Sequence, residues 1–499
     1  MTVGTRSAAR VDLGGVLSGY ASTPQIWVKH LTIDSRAVQA GDGFIAASGV
    51  ASHGMDYVPD AVARGAVAVL WDPTDGRSLP AIPTSVTAIP LVGLRASLGD
   101  IADRFYDSPS SALSVAGITG TNGKTTCAWL YAACHGAEGA YLGTLGRGGI
   151  NALTPTTHTT MDVVAVHRFL REMANEGVIS VGMEVSSHAL DQDRVAKVRL
   201  PLVAFTNLTR DHLDYHGSMA AYGEAKARLL LARGVEHAVI NIGDAFGHEL
   251  AKQLPAGIEL TQVLAFNGVR PSHGRYVLAG RVDCSLSGLE LTGDSHAGTF
   301  TLRSSLVGRF NAENLLLVLG LLLAAGMSLP VAIDALETAT APPGRMETFR
   351  TGEHGPVVVI DYAHTPDALT KALAALRTHA SGHVWCIFGC GGDRDVGKRA
   401  LMAQAAEAGA DHLIVTDDNP RTEDPEQIIA TITDNLSGRV PVAVERNRAT
   451  AIRQAVAAAA PGDIILVAGK GHEDYQIVGN HRHAYSDRLV ATELAGARA

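Results

Sequence analysis

One stretch constrains this chain more than any other: Gly117-Ile118-Thr119-Gly120-Thr121-Asn122-Gly123-Lys124-Thr125-Thr126. It closes an apolar run with strand character, Ser114–Ile118, and opens an Ala- and Leu-rich run with helical character. A glycine-rich turn in that setting aims backbone N–H groups at phosphate oxygens, and the helix N-terminus favours their charge. Lys124 is expected to reach the β- and γ-phosphates of a nucleotide, and Thr125 to ligate Mg²⁺. Gly120, Thr121, Asn122, Gly123 and Thr126 complete the loop. The spacing departs from the common one: Ile118 stands where the first glycine is expected, with Gly117 and Gly120 flanking it. A plain Gly-rich turn is the ordinary alternative, but the Gly-Lys-Thr triplet between strand and helix favours a phosphate loop.

Around this loop, short apolar runs alternate with helical stretches, the pattern of βα units on a parallel sheet. The strand candidates are Val178–Val185, Leu202–Leu208 and Ala238–Ile242. A segment of β-turn character covers about 258–306, and a buried apolar helix is expected after Phe310-Asn311. Ala341-Pro342-Pro343-Gly344-Arg345 marks a boundary, beyond which the pattern restarts with Val357–Ile360, Val384–Phe388, His412–Thr416 and Ile464–Val467. Before the loop, residues 1 to about 110 hold short β-like runs (Leu31 to Arg36, Ala66 to Trp71), and Asp107 to Ser111 reads as a linker. Polar or Gly-rich sequence follows the strands directly. Ligands of open α/β sheets bind outside the carboxyl ends of the strands, so a site drawing on both sheets is expected.

Composition narrows the function classes. The 499 residues suggest about three domains, and 46% hydrophobic against 18% charged residues is enough for packed cores. A formal net charge of −9 argues against a general nucleic-acid binder. The five cysteines, Cys127, Cys134, Cys284, Cys386 and Cys390, are odd in number and scattered, without zinc-site spacing or a disulfide framework. No signal peptide is visible, and the longest apolar stretch, Leu315 to Met327, has 13 residues, too few to span a bilayer. A cytoplasmic location with no membrane insertion is expected.

A second constellation is weaker. Glu184 ends an otherwise apolar strand and is either a solvated strand-end carboxylate or an Mg²⁺ ligand beside the γ-phosphate. His212 lies in Asp211-His212-Leu213-Asp214-Tyr215-His216, a loop that by itself says little about metal. Lys226 would ordinarily be a solvated helix lysine.

Taken in order, these residues resemble the ATP-dependent Mur ligases of peptidoglycan synthesis. The resemblance runs over nearly the whole chain. It rests on Gly120–Thr126, Glu184–Leu190, Thr206–His216, Lys226, Gly308-Arg309-Phe310-Asn311, Asp361-Tyr362-Ala363-His364-Thr365-Pro366, Gly392-Asp393-Arg394-Asp395, Asp418-Asn419-Pro420-Arg421 and Gly469-Lys470-Gly471-His472-Glu473. It implies an α/β fold of three domains. These are a small α/β N-terminal domain (1–111) for a UDP-sugar, a central P-loop ATPase-like parallel-sheet domain (112–343), and a C-terminal Rossmann-like domain (344–499) for an amino acid. It implies that Lys226 is carbamylated to N6-carboxylysine, which with Thr125, Glu184 and His212 holds Mg²⁺, and that Lys124, Glu184, His212 and Lys226 are catalytic. Asn311 and Arg345 are implied nucleotide contacts. Ile33, Ser35, Val50, Ala51, Ser52, His158, Thr159, Thr160, Ser186, Gln192 and Arg194 are implied contacts of the UDP-sugar peptide. His158 and Met161 depart from the Asn and Pro common at those positions. The chain is expected to act as a monomer.

The implied reaction joins a carboxylate of UDP-N-acetylmuramoyl-L-alanyl-D-glutamate to an amino acid, with ATP and Mg²⁺, through an acyl phosphate. Asp418-Asn419-Pro420-Arg421 selects the amine. Asn-Pro favours a turn, and Arg421 suits a forked contact to a carboxylate. Meso-diaminopimelate carries a second carboxylate at its far end and lysine does not. In the family this motif goes with diaminopimelate, and Arg394, Gly469 and Glu473 match its other contacts, Glu473 suiting an ammonium. Two competitors remain: folylpolyglutamate synthase, in which neither this kind of N-terminal domain nor Asp418–Arg421 is expected, and a catalytically dead scaffold, against which every charged site position is present.

Overall fold

The computed structural model describes residues 10–49, 52–266, 274–352 and 355–496. Val50 and Ala51, two expected UDP-sugar contacts, lie outside the described residues. The chain divides into two compact units. The first takes residues 1–124, 135–238 and 252–259; the second takes 125–134, 239–251 and 260–499.

The first unit contains a short antiparallel pair, Val11–Asp12 with Trp27–Val28, a small four-stranded sheet and five strands of a larger one. The smaller sheet is all parallel and ordered as in the chain: Leu31–Thr32, Gly43–Ala46, Ala68–Trp71 and Thr87–Pro90. The β-like run from Leu31 stops at Thr32. Asp34 accepts a hydrogen bond from the Arg36 N–H and starts a 3₁₀ turn, Ser35–Ala37, so a side-chain cap ends the strand. The helix Leu94–Phe105 covers this sheet through Leu94, Ile101, Ala102 and Phe105, all in one core with Leu31, Ile45 and Leu70. Asp107 to Ser111 is not a loose linker. Pro109–Ala112 forms a 3₁₀ turn, Ser110 is fully buried with its hydroxyl accepting from the Arg199 N–H, and Arg171 donates to the Tyr106 and Asp107 carbonyls.

The larger sheet of this unit runs Leu202–Phe205, Ser114–Thr119, Ser180–Glu184, Gly139–Gly143, Gly146–Gly149, parallel except for the last pair. Its strands are almost wholly buried, which is why they read as unbroken apolar runs. The register aligns Glu184 with Ile118 and Phe205 with Thr119, so three strands end level. Among the remaining sequence expectations, the strand placed at Ala238–Ile242 occurs at His237–Asn241.

In the second unit, Glu259–Leu264 pairs in parallel with Arg275–Ser285, which continues antiparallel through Gly288–Ser295 to Gly298–Ser304. The helix Asn311–Ala324 is buried nearly all round, as its unbroken leucines require. A six-stranded sheet follows in the order Glu347–Arg350, Val357–Asp361, Ile464–Ala468, Val384–Phe388, His412–Val415, Val442–Val444, with only its first pair antiparallel. Its four central strands were legible. The edge strands Glu347–Arg350 and Val442–Val444 and the hairpin Tyr475–Val478/His481–Ala484 were not, because they are short and none of their residues is fully buried. The carboxyl ends of the central strands deliver Asp361–His364, Gly389–Arg394, Asp417–Arg421 and Gly469–Glu473 to one edge.

Candidate active site

The phosphate loop lies between the strand Ser114–Thr119 and the helix Lys124–Ala133, as expected. Its shape is set by the neighbouring strand end. Thr206 donates its hydroxyl to the Asn122 carbonyl at 2.6 Å, the Asn207 carbonyl accepts from the Thr121 N–H at 2.8 Å, and the Asn207 side-chain oxygen accepts from the Asn122 N–H at 3.0 Å. Thr121 Oγ1 accepts from the Thr209 N–H at 3.0 Å. Gly120 has φ +144°, and a Cβ there would fall 1.8 Å from Thr206 Oγ1, so only glycine fits. Thr125 and Thr126 sit in the first turn of the following helix.

Two lysines converge on this loop. Lys124 Nζ donates to the Gly120 and Thr121 carbonyls at 2.9 and 2.8 Å, and Lys226 Nζ donates to the same Gly120 carbonyl at 2.7 Å. Lys226 projects from the helix Met219–Ala227, is 1% exposed, and lies over the Tyr222 ring at 4.3 Å. Burial drives its amine down to about 6, the Lys124 charge adds to this, and Asp211 opposes it. Lys226 is therefore not a solvated helix lysine but a buried amine, largely neutral at neutral pH. His212, half exposed at φ +50°, reaches this group through the other side of the aromatic cluster, its ring 6.0 Å from Tyr222 and 4.9 Å from His188.

Glu184 belongs to a second hydrogen-bonded group. It is buried, and its Oε1 accepts from the Tyr141 hydroxyl and, at 2.8 Å, from the Thr144 N–H. Thr144 Oγ1 lies 3.1 Å from Thr159 Oγ1, and Thr160 donates to the Glu184 carbonyl at 2.8 Å. Thr160 Oγ1 also accepts from the Ser186 N–H, and its carbonyl accepts from Arg194 at 2.9 Å. Arg194 holds Gln192, which donates to the Tyr215 hydroxyl. Thr159, Thr160, Ser186, Gln192 and Arg194 thus form one network with Glu184. His158 is exposed beside Thr157, while Ile33, Ser35 and Ser52 lie on the smaller sheet's side of the unit, apart from the bonds of that network.

In the second unit, Asn311 spends its side chain locally, Nδ2 donating to the Val307 carbonyl and Oδ1 accepting from Asn314. Arg345 stacks over Tyr362 at 4.6 Å, and Asp361 accepts from the Met346 and Ala363 N–H groups. At the adjoining strand ends, Arg421 sits at φ +54°, its N–H on the Ile477 carbonyl and its Nη1 on the Gly392 carbonyl at 2.8 Å. Arg394 shares the Gly391 turn with it. Asn419 Nδ2 donates to Glu473 Oε2 at 3.1 Å, and Asn419 Oδ1 accepts from the Ile477 N–H. Gly469 faces Asp418, to which a Cβ would come within 3.1 Å.

Three family descriptions match this chain in order: "Mur ligase family, catalytic domain" over residues 28–106, "Mur ligase middle domain" over 118–322, and "Mur ligase, glutamate ligase domain" over 344–471. The UDP-N-acetylmuramoyl-L-alanyl-D-glutamate–2,6-diaminopimelate ligase of Xylella fastidiosa is 44% identical over 98% of both chains. That of Chromobacterium violaceum is 46% identical over 93% of this chain and 94% of its own. A solved structure of a ligase of the same name superposes with a TM-score of 0.70 at 34% identity, covering 98% of this chain and 99% of that one.

The chain belongs to the Mur ligase family.

In this Mur ligase, sequence reasoning missed the residues that hold the others. Tyr141, Thr144 and Tyr222 carry no charge and stand in no motif of their own, and Asn207 lies unremarked inside Thr206–His216; Tyr141, Thr144 and Asn207 are signalled only by their place at or near strand ends, and Tyr222 by its place one helical turn before Lys226. The side chain of Asn419, expected at the amine, bonds to Glu473, Lys470 and the Ile477 N–H. Among the described residues no three His, Cys, Asp or Glu side chains form a ready-made metal cage.

Gly143 offers a direct check on the Glu184 group. A Cβ at this position would fall 2.2 Å from Glu184 Oε1 and 2.3 Å from Tyr141 Oη. Gly143→Ala is expected to push the carboxylate aside and lower kcat about 10- to 100-fold, read as phosphate release, with binding of a fluorescent ATP analogue retained. Unchanged turnover would show that the position of Glu184 is immaterial.

Proposed function

We propose that this Mur ligase uses ATP to add meso-diaminopimelate to the D-glutamyl carboxylate of UDP-N-acetylmuramoyl-L-alanyl-D-glutamate, making a peptidoglycan precursor. The observation that carries this reading is the 44% identity, over 98% of both chains, to a relative named for that reaction. The buried Lys226 beside Lys124 on the phosphate loop and the Arg421–Glu473 cluster support it. We take residues 1–111, 112–343 and 344–499 as its three domains. We take its location as cytoplasmic; among the described residues no helix is long and apolar enough to cross a membrane.

A carboxylate is a poor electrophile at neutral pH. Its oxygen attacks the γ-phosphorus of ATP, the bond to ADP breaks, and an acyl phosphate forms. The amine nitrogen then attacks the carbonyl carbon, a tetrahedral intermediate forms, and phosphate leaves as the amide closes and the amine loses its proton. Catalysis is mostly positioning and neutralisation of charge on the transferred group. Lys124 and the backbone of Gly120 to Thr126 hold the phosphates. Glu184 and the Thr125 hydroxyl, with Lys226 as its carbamate and His212, are the donors that fit Mg²⁺, which when bound neutralises phosphate charge. A neutral Lys226 amine adds to CO₂ and loses a proton, which turns a cation into an anionic oxygen ligand. Asn311 and Arg345 are assigned to the nucleotide. The network of Thr159, Thr160, Ser186, Gln192 and Arg194, with His158, Ile33, Ser35 and Ser52 (and Val50 and Ala51 from sequence alone), is assigned to the UDP-sugar peptide. Arg394, Asp418 to Arg421, Gly469 and Glu473 are assigned to diaminopimelate.

The test is phosphate release from ATP and Mg²⁺ with the UDP-muramoyl dipeptide and a panel of amines. Release is expected only when acceptor and diaminopimelate are both present. Turnover independent of the amine would leave a generic ATPase, and turnover with glutamate on a folate acceptor would favour the folylpolyglutamate reading.

A further inference from the structure

Lys470 was no more than a member of a motif in the sequence, yet it is a fully buried ammonium at the centre of the amine-side cluster. Its Nζ lies 3.0 Å from Glu473 Oε2, 3.1 Å from Asn419 Oδ1 and 3.6 Å from Asp418 Oδ1, and 5.5 Å from the Tyr475 ring centroid. The neighbouring buried cation cannot replace it, because Arg448 is committed to Asp487 at 2.8 and 2.9 Å. Asn419 stands between Lys470 and Arg421: its side-chain oxygen accepts from Lys470, and its backbone oxygen lies 3.5 Å from Arg421 Nη1.

A buried charge must be paired, and the pairing here takes up the anions that a substrate ammonium would otherwise claim. Glu473 shares Oε2 between Lys470 and Asn419 and presents a neutralised carboxylate rather than a full negative charge. Among the described residues the Arg421 guanidinium, in contrast, has only backbone carbonyls as partners, and carbonyls do not cancel its charge. A lone cation gains little from such a surface and faces Arg421, whereas a far end that carries a carboxylate finds its counter-charge.

We propose that Lys470 is a specificity-determining residue of the amine site: its ammonium cancels Glu473 and Asp418, so that the site takes an amine whose far end bears a carboxylate and rejects one whose far end is a lone ammonium. This rests on the substrate reading given above and adds to it a residue that acts through Glu473 and Asp418.

The experiment compares kcat/KM for diaminopimelate, lysine and 2-aminopimelate, the last having a far carboxylate and no far ammonium, in the full-length wild type, Lys470→Gln and Lys470→Arg. In Lys470→Gln the lysine-to-diaminopimelate ratio is expected to rise about tenfold or more, and in Lys470→Arg to stay within about threefold of wild type. A ratio unmoved in Lys470→Gln, with both amines slowed alike, means that Lys470 is only structural and overturns the inference. If thermal melting shows Lys470→Gln to be unfolded, the wild type decides. There 2-aminopimelate is expected to outperform lysine by about tenfold, and the reverse order overturns the proposal. A wild type that ignores diaminopimelate brings down the substrate reading itself; one that uses it while the ratio stays fixed brings down this inference alone.

Discussion

Lys226→Ala is expected to lower kcat about 10³-fold while leaving ATP binding within a few-fold, because the loss falls on transition-state charge rather than on the phosphate loop. The reason lies in the geometry. Lys226 shares the Gly120 carbonyl with Lys124, and in the dry interior two ammonium groups at that distance cannot both stay charged cheaply. The amine that yields is the buried one, held down to about 6. At neutral pH it is a nucleophile able to take up CO₂; below about pH 6 it is an ammonium and cannot. Enzyme stripped of CO₂ is therefore expected to lose activity and to regain it on adding bicarbonate at pH 8 but not at pH 5.5, with Lys226→Ala insensitive to both treatments. Stability gives a second readout. The same group in the unfolded chain titrates near 10.5, so between about 6 and 10.5 the unfolded state binds one more proton than the folded one. Its unfavourable contribution is complete below about 6, shrinks as pH rises, and is gone above 10.5. Denaturant unfolding of CO₂-free enzyme should show stability rising from pH 6 to 8 more steeply in wild type than in Lys226→Met. Equal slopes would mean that the amine is charged in the fold and would remove the basis for carbamylation.

The second large effect is at Arg421. Its replacement is expected to cut kcat/KM for diaminopimelate on the order of 10²- to 10³-fold, with the effect in KM and selectivity rather than in ATP binding. Arg421 occupies the left-handed region at φ +54°, a costly conformation for any residue with a Cβ, arginine and alanine alike. Asparagine is at home in that conformation and removes the guanidinium, so Arg421→Asn tests the charge without destabilising the turn. The backbone bonds that Arg421 makes with Ile477 and Gly479 do not depend on the side chain, so the hairpin should stay docked. Amine profiling provides the measurement, and a variant that retained full preference for diaminopimelate over lysine would exclude Arg421 as the carboxylate partner.

Legibility differed by element. The central strands of both sheets were readable because strands buried on both faces must be apolar throughout. The helix Asn311–Ala324 was readable for the same reason. The edge strand Val442–Val444 is exposed at every residue and has no such signature. The segment Asp107 to Ser111 looked like a linker because Pro and Ser favour turns, but the bond from the Arg199 N–H to Ser110, 89 residues apart in sequence, is invisible to any local pattern.

The sequence by itself determined the phosphate loop, the two parallel sheets with polar ends, and the residue types for phosphate and carboxylate chemistry, since these follow from local spacing and from the family resemblance. Only the tertiary structure decided what state those residues are in. It put Lys226 beside Lys124 on one carbonyl, paired Glu184 with Tyr141 and Thr144, and committed Asn419 and Glu473 to a buried Lys470. The physical reason is that charge, basicity and hydrogen-bond capacity depend on burial and on partners far away in the chain, and both come into being only when the strand ends meet.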